Sequence, residues 1–175
     1  MSALTLVRHG RPLVRPETPA AEWTLDPASY DDVWALRRSG RLPGNAAWYS
    51  SPEPKARETA ALLTDGQVGV VDGLREHERG VTPWQPDPAR WCNTVRRVFA
   101  DPGRAALPGW EPLERTRVRL LPAVEKILAV HGGEDMVLVG HGTAWTLLVA
   151  ELTGQPPDLD RWAALEMPDV IALDV

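Results

Sequence analysis

Residues 3–12 read ALTLVRHGRP and residues 136–145 read MVLVGHGTAW. In both, an apolar run that looks like a buried strand stops at a histidine followed by glycine. Glycine lets backbone come close to a ligand. In an open α/β sheet, ligands bind outside the carboxyl ends of the strands, where the strand order reverses. His9 and His141, at two matching strand ends, therefore read as two edges of one site, with Arg8 beside the first. In the second stretch Gly142-Thr143 opens a helix whose free N–H groups favour an anion.

The rest of the chain supplies the frame for those two ends. Apolar segments at 4–7, 46–49, 68–71, 136–139 and 170–175 read as strands, and the segments between them carry helical periodicity and helix punctuation. Asp26-Pro27 offers a cap and first-turn proline for a helix with Val33, Trp34 and Leu36, stopped near Gly40. Ser51-Pro52 does the same for a helix through Ala56, Ala60 and Leu63. Asp87-Pro88 starts another, with Trp91, Val95, Val98 and Phe99 on one side. The longest helix covers 113–130 and ends at Gly132-Gly133, with Pro122 expected to kink or split it. A last one covers 143–153 and stops at Gly154. Strands alternating with helices predict an α/β fold: a three-layer α/β/α sandwich on a mostly parallel central sheet. At 175 residues the chain is expected to be a single domain, 1–175. The Pro- and Trp-rich stretch 83–112 reads as a lid-like helical insertion over the carboxyl end of the strands.

Composition narrows the function. A net charge of −5 argues against a nucleic-acid partner, which needs a basic surface. No apolar run approaches the ~20 residues of a membrane span, and the N-terminus lacks a signal-peptide pattern. A cytoplasmic enzyme or binding domain is expected. The single Cys92 excludes an intramolecular disulfide and a Cys-rich zinc site. The chain has eight Trp against one Phe and two Tyr; these read as core and lid packing, with an aromatic substrate cage as the alternative. His77 and His131 lack the setting of the other two histidines and read as exposed or structural.

The ordered set "LVRHG", "YSSPEPKARETA", "LRE" and "VGHG" resembles the histidine phosphatase superfamily, also called phosphoglycerate mutase-like, from Leu4 to the final helix. The resemblance implies an α/β/α sandwich and phosphoryl transfer through a phosphohistidine. It gives His9 as the nucleophile, Arg8 as its phosphate-binding neighbour, His141 as the second pocket histidine and Glu76 as the acid/base. The implied substrate is a small phosphomonoester and the product inorganic phosphate, with no metal and no cofactor. The chemistry agrees, since phosphoryl transfer needs cations around the equatorial oxygens and an in-line nucleophile. Arg8 offers a planar fork of donors, and nearby cations keep a histidine neutral and nucleophilic.

Two departures bear on the site. The family's usual Arg before the Ala of its second motif is Lys55 here, and Arg57 lies two residues on. Two residues turn a helix by ~200°, so both cannot face one pocket. Lys55 takes the phosphate-binding role, with His141 and Gly142, and Arg57 is left a surface pairing with Glu53 or Glu58. An Asn common five residues after Gly10 is Arg15 here, so either Arg15 or Arg11 replaces its contact, or both face solvent. Glu78 reads as an exposed lid carboxylate, with acid/base work as its alternative. Competing functions are a mutase-type phosphotransferase, a phosphoprotein or phosphohistidine phosphatase, a phospho-ligand-binding pseudo-enzyme, and a metallohydrolase using His9, His141 and Glu76-His77-Glu78.

Overall fold

The computed structural model describes residues 2–80 and 85–175. Chain order is β1 (Ala3–Arg8), α1 (Tyr30–Arg38), β2 (Ala47–Ser50), α2 (Pro54–Leu63), β3 (Val68–Val70), α3 (Pro88–Ala100), α4 (Leu113–Val130), β4 (Met136–Gly140), α5 (Gly142–Thr153), α6 (Leu159–Ala164) and β5 (Asp169–Asp174). The five strands form one sheet in the order β3-β2-β4-β1-β5. All neighbours are parallel except β5, which runs antiparallel to β1.

Alternation along the central strands builds the layers, because successive strand side chains point to opposite faces. Leu4 and Leu6 of β1 and Met136 and Leu138 of β4 join one core with Val98, Leu120, Val124, Trp145 and Leu148 of α3, α4 and α5. Val7, Val137 and Val139 join the other, with Val33, Leu36, Ala56, Ala60 and Leu63 of α1 and α2. The result is the expected α/β/α sandwich.

Strand register then decides what lies at the carboxyl edge. Arg8 pairs with Gly140 and Ser50 with Val139. His9, His141 and Ser51 therefore emerge side by side, tied by His9 N–H to the Gly140 carbonyl and Ser51 N–H to the Val139 carbonyl, both at 2.9 Å.

The structure corrects two local expectations and adds one element. Of the kink or split expected at Pro122, the split does not occur: α4 runs unbroken from Leu113 to Val130. Pro122 and Val118, one turn apart, are both exposed, so the carbonyl that loses its N–H partner lies on the hydrated face. The second helix starts at Pro54 rather than Pro52, with Glu53 as a cap whose side chain makes no capping bond. Helix α6 has no counterpart in the sequence reading. Residues 83 and 84 of the expected insertion lie outside the described residues. Its helix α3 packs Val95 and Val98 into buried positions. Among the described residues no helix is long and apolar enough to cross a membrane.

Candidate active site

His9 is 7% exposed and His141 fully buried, with ring centroids 5.2 Å apart. The N–H of Gly10 donates to the Thr59 hydroxyl of α2 at 3.0 Å, which fixes the turn after β1. His9 Nδ1 lies 2.6 Å from the Gly10 carbonyl oxygen. A carbonyl only accepts, so Nδ1 carries the hydrogen and Nε2 keeps its lone pair. Burial holds the His9 imidazole well below its usual proton affinity, helped by His141, Lys55 and Arg8 and opposed by the Gly10 carbonyl. His141 is pushed in the same direction by burial and then Lys55, with Glu76 opposing and Arg79 and Arg8 adding. Both rings are neutral at ordinary pH.

Arg8 donates from Nη1 to the Leu165 carbonyl at 2.6 Å. Its Nε is buried without a hydrogen-bond partner among the described residues, as is His141 Nδ1. Two unpaired buried polar atoms beside a neutral imidazole are costly in isolation and suit a site that receives an anion. Gly142 lies against this guanidinium, a Cβ on it falling 3.4 Å from Arg8 Nε.

Lys55 is buried, with its ammonium paired to Glu53 and donating to the Ala20 carbonyl at 2.7 Å. Glu53, expected from the sequence only as a surface partner for Arg57, is thus a buried residue of the site. Besides holding Lys55, it accepts from the Glu76 N–H at 2.8 Å and lies 3.5 Å from His141 Nε2. Ser51, read from the sequence only as a helix cap, places its hydroxyl 2.8 Å from His141 Nε2. A carboxylate between two prolines, where a helix cap is normally Ser, Thr, Asp or Asn, was the available signal for Glu53.

Glu76 accepts from the N–H groups of Thr143 (3.1 Å), Ala144 (2.9 Å) and His77 (2.9 Å). Glu76 thus supplies an anion at the start of α5, where the sequence predicts that the helix N–H groups favour one; it takes those of Thr143 and Ala144. The helix N-terminus attracts negative charge whatever its source, and the chain provides its own. Burial raises the Glu76 proton affinity, but Arg79, His141 and the His77 N–H outweigh it against Glu53, and the carboxyl sits below its usual range. Arg79, three residues on, reaches to 3.8 Å from Glu76 and was not singled out from the sequence either.

The remaining candidates stand apart. Glu78 is exposed and paired with Arg75. Arg57 is exposed, and the surface pairing expected for it is absent: Glu53 holds Lys55, and Glu58 accepts from the Leu25 N–H at 2.6 Å. Arg11 is exposed and lies 3.7 Å from Asp26. Arg15 is exposed, and its carbonyl accepts from Trp23 Nε1 at 2.9 Å. Neither makes a contact with the His9 cluster among the described residues. His77 turns to the Glu111 carbonyl at 2.8 Å, so Glu76, His77 and Glu78 diverge and form no ligand set with His9 and His141.

The description "Histidine phosphatase superfamily (branch 1)" matches residues 4–174. A Bacillus subtilis protein named uncharacterized phosphatase PhoE is 23% identical over 165 residues, covering 91% of this chain and 81% of its own. The structure of Bacillus stearothermophilus YhfR is similar with a TM-score of 0.77 at 23% identity, covering 100% of this chain and 92% of that one. Mycobacterial glucosyl-3-phosphoglycerate phosphatase is similar with a TM-score of 0.75 at 21% identity, covering 98% and 89%, and it has also been solved with inorganic phosphate.

Proposed function

The chain belongs to the histidine phosphatase superfamily (branch 1), and from that premise we propose that it hydrolyses a small phosphomonoester, without a metal, through a phosphohistidine on His9. Phosphatase or phosphotransferase chemistry is common ground with its named relatives; hydrolysis, the intermediate and the residue roles are the proposal. One observation carries it. The Gly10 carbonyl holds the Nδ1 hydrogen of His9, leaving Nε2 as an unprotonated nucleophile in a pocket whose cations disfavour its charging. The name of the mycobacterial relative supports a small phosphorylated metabolite as substrate. The whole chain is taken as one domain, with 83–112 as a lid on the site.

In the first step Nε2 attacks phosphorus in line, the bond to the leaving oxygen breaks, and Glu76 gives that oxygen a proton. Glu76 is ionised before substrate binds. A phosphate dianion arriving beside it raises its proton affinity, as like charges do, so that the carboxylate takes up a proton from solvent as substrate binds and holds it for the leaving oxygen. Arg8, Lys55 and His141 face the equatorial oxygens, where charge is spread in the transition state. In the second step the Glu76 carboxylate takes a proton from water, the hydroxide attacks phosphorus, the P–N bond breaks and phosphate leaves.

Rapid quenching with 32P-labelled substrates from a panel of phosphorylated metabolites tests the reading. Wild type should yield an acid-labile, base-stable phosphoenzyme that His9→Ala does not form. Full hydrolysis by His9→Ala would end the proposal.

A further inference from the structure

Arg79 lies between the insertion and the catalytic loop. Its guanidinium sits over the Trp91 ring of α3 at 4.7 Å and over the Trp110 ring, before α4, at 5.5 Å. The two rings pack edge-to-face at 5.7 Å. Gly80 makes this approach feasible: at φ +54, a Cβ on it would lie 2.6 Å from the Gly109 carbonyl oxygen. That close passage sets Trp110 against the residue before Gly80. From this seat Arg79 Nη2 donates to the Thr143 hydroxyl at 2.9 Å and stands 3.8 Å from Glu76 Oε2, both side chains being about 15% exposed. A cation on aromatic faces keeps its charge while losing freedom, which favours one fixed direction.

We propose that Arg79 is a positioning residue: seated on Trp91 and Trp110, it clamps the Glu76 carboxylate onto the first turn of α5, and so couples the insertion to the step in which Glu76 takes a proton from water. This rests on the phosphatase reading and extends it to residues that the reading does not use. The clamp has two jaws, the Thr143 and Ala144 N–H groups on one side and the guanidinium on the other. Every element packed against Glu76 contributes to its charge balance. Its own loop presents Arg79 and the His77 N–H, the turn that caps α2 presents Glu53, and the β4–α5 junction presents His141. Arg119 of α4 donates to the Glu76 carbonyl at 3.2 Å, and Arg8 of β1 is within electrostatic reach. Arg79 is the cation nearest the carboxylate in this set, which accords with its place as the leading influence holding Glu76 below its usual range.

Three variants test the clamp: Arg79→Met keeps the stem without charge, Arg79→Lys keeps charge without the stacked plane, and Trp91→Leu removes one ring. The Glu76 carboxyl is titrated by 13C NMR, and the decay of preformed phosphoenzyme is followed against pH. In Arg79→Met the Glu76 titration should rise by about 1–3 pH units, the usual effect of losing an adjacent arginine. Phosphoenzyme decay on the acid side should slow by about tenfold or more, with the alkaline plateau far less affected. Arg79→Lys should restore most of the shift, and Trp91→Leu should show a smaller rise in the same direction. A purely structural arginine would lower the melting temperature and leave both titrations in place. Unchanged Glu76 titration in folded Arg79→Met overturns the proposal. Should that variant not fold, an unchanged Glu76 titration in folded Trp91→Leu overturns it. Failure to trap a phosphoenzyme in wild type would instead remove the phosphatase reading, while the NMR titration still reports on the clamp.

Discussion

Substituting Lys55 by Met removes the ammonium that Glu53 and the Ala20 carbonyl share. The side chains of Lys55 and Glu53 are each only 6% exposed, so the variant leaves a carboxylate in a site that water barely reaches. Breaking a buried pair from one side costs about 3–5 kcal/mol. The lower end applies here, because Glu53 keeps the Glu76 N–H at 2.8 Å. About 3 kcal/mol lowers the melting temperature of a chain this size by roughly 6–12 °C. Urea and thermal unfolding should register that loss in Lys55→Met and recover most of it in Glu53→Gln/Lys55→Met, where the stranded charge is gone. Activity should not recover. On the proposed function both variants lack a cation at the transferring phosphoryl group, and loss of one such group costs about 100- to 1000-fold in rate. Arg57→Ala, on the exposed side of α2, should stay within about 0.5 kcal/mol of wild type and keep full activity. A Lys55→Met penalty below about 1 kcal/mol, or a double variant no more stable than the single one, would refute the reasoning that the pair is mutually compensating.

Glu76→Gln leaves one amide oxygen to serve three N–H donors now shared by two carboxylate oxygens. It should slow phosphoenzyme decay by about 100- to 10,000-fold and cost about 1–3 kcal/mol in urea unfolding; an unchanged decay rate would move the base elsewhere. Gly140→Ala would put a Cβ 2.5 Å from the Trp145 ring, whose Nε1 is fixed on the Val7 carbonyl at 2.9 Å. That overpacking should cost about 1–3 kcal/mol and reduce turnover by displacing His141, and a crystal structure with the ring unmoved would refute it. His9, His141 and His77 all have proton affinities depressed in the folded state, burial being the leading cause. The unfolded chain therefore takes up protons first, and stability is lost as pH falls below about 6.5, by up to ~1.4 kcal/mol per pH unit for each histidine. The depressed Glu76 carboxyl adds to the loss only below its ordinary value near 4.5. A urea midpoint that stays flat between pH 8 and pH 5 would contradict this.

Local sequence determined much of this protein. Short apolar runs bounded by Gly, Pro and Asp marked the five strands to within a residue or so. The His-Gly steps after two of them marked His9 and His141, because a strand ending in a charged, hinge-like turn is a pattern written in consecutive residues. That Lys55 and Arg57 cannot share a face was legible from a helical offset of about 200°, and Lys55 is the buried one. What only the tertiary structure decided depends on register and on chain segments far apart. Pairing of Arg8 with Gly140 is a property of the sheet, and one residue of slip would part the two histidines. Glu53 meets Glu76 across 23 residues, and Glu76 meets Ala144 across 68. No periodicity encodes such meetings, so the sequence could say that the α5 N-terminus favours an anion but not that the Glu76 carboxylate is one that reaches it. Arg79 was invisible for the same reason. Its cation acquires a direction only where Trp91, Trp110 and the first turn of α5 converge, and that convergence is made by packing rather than by any stretch of neighbouring residues.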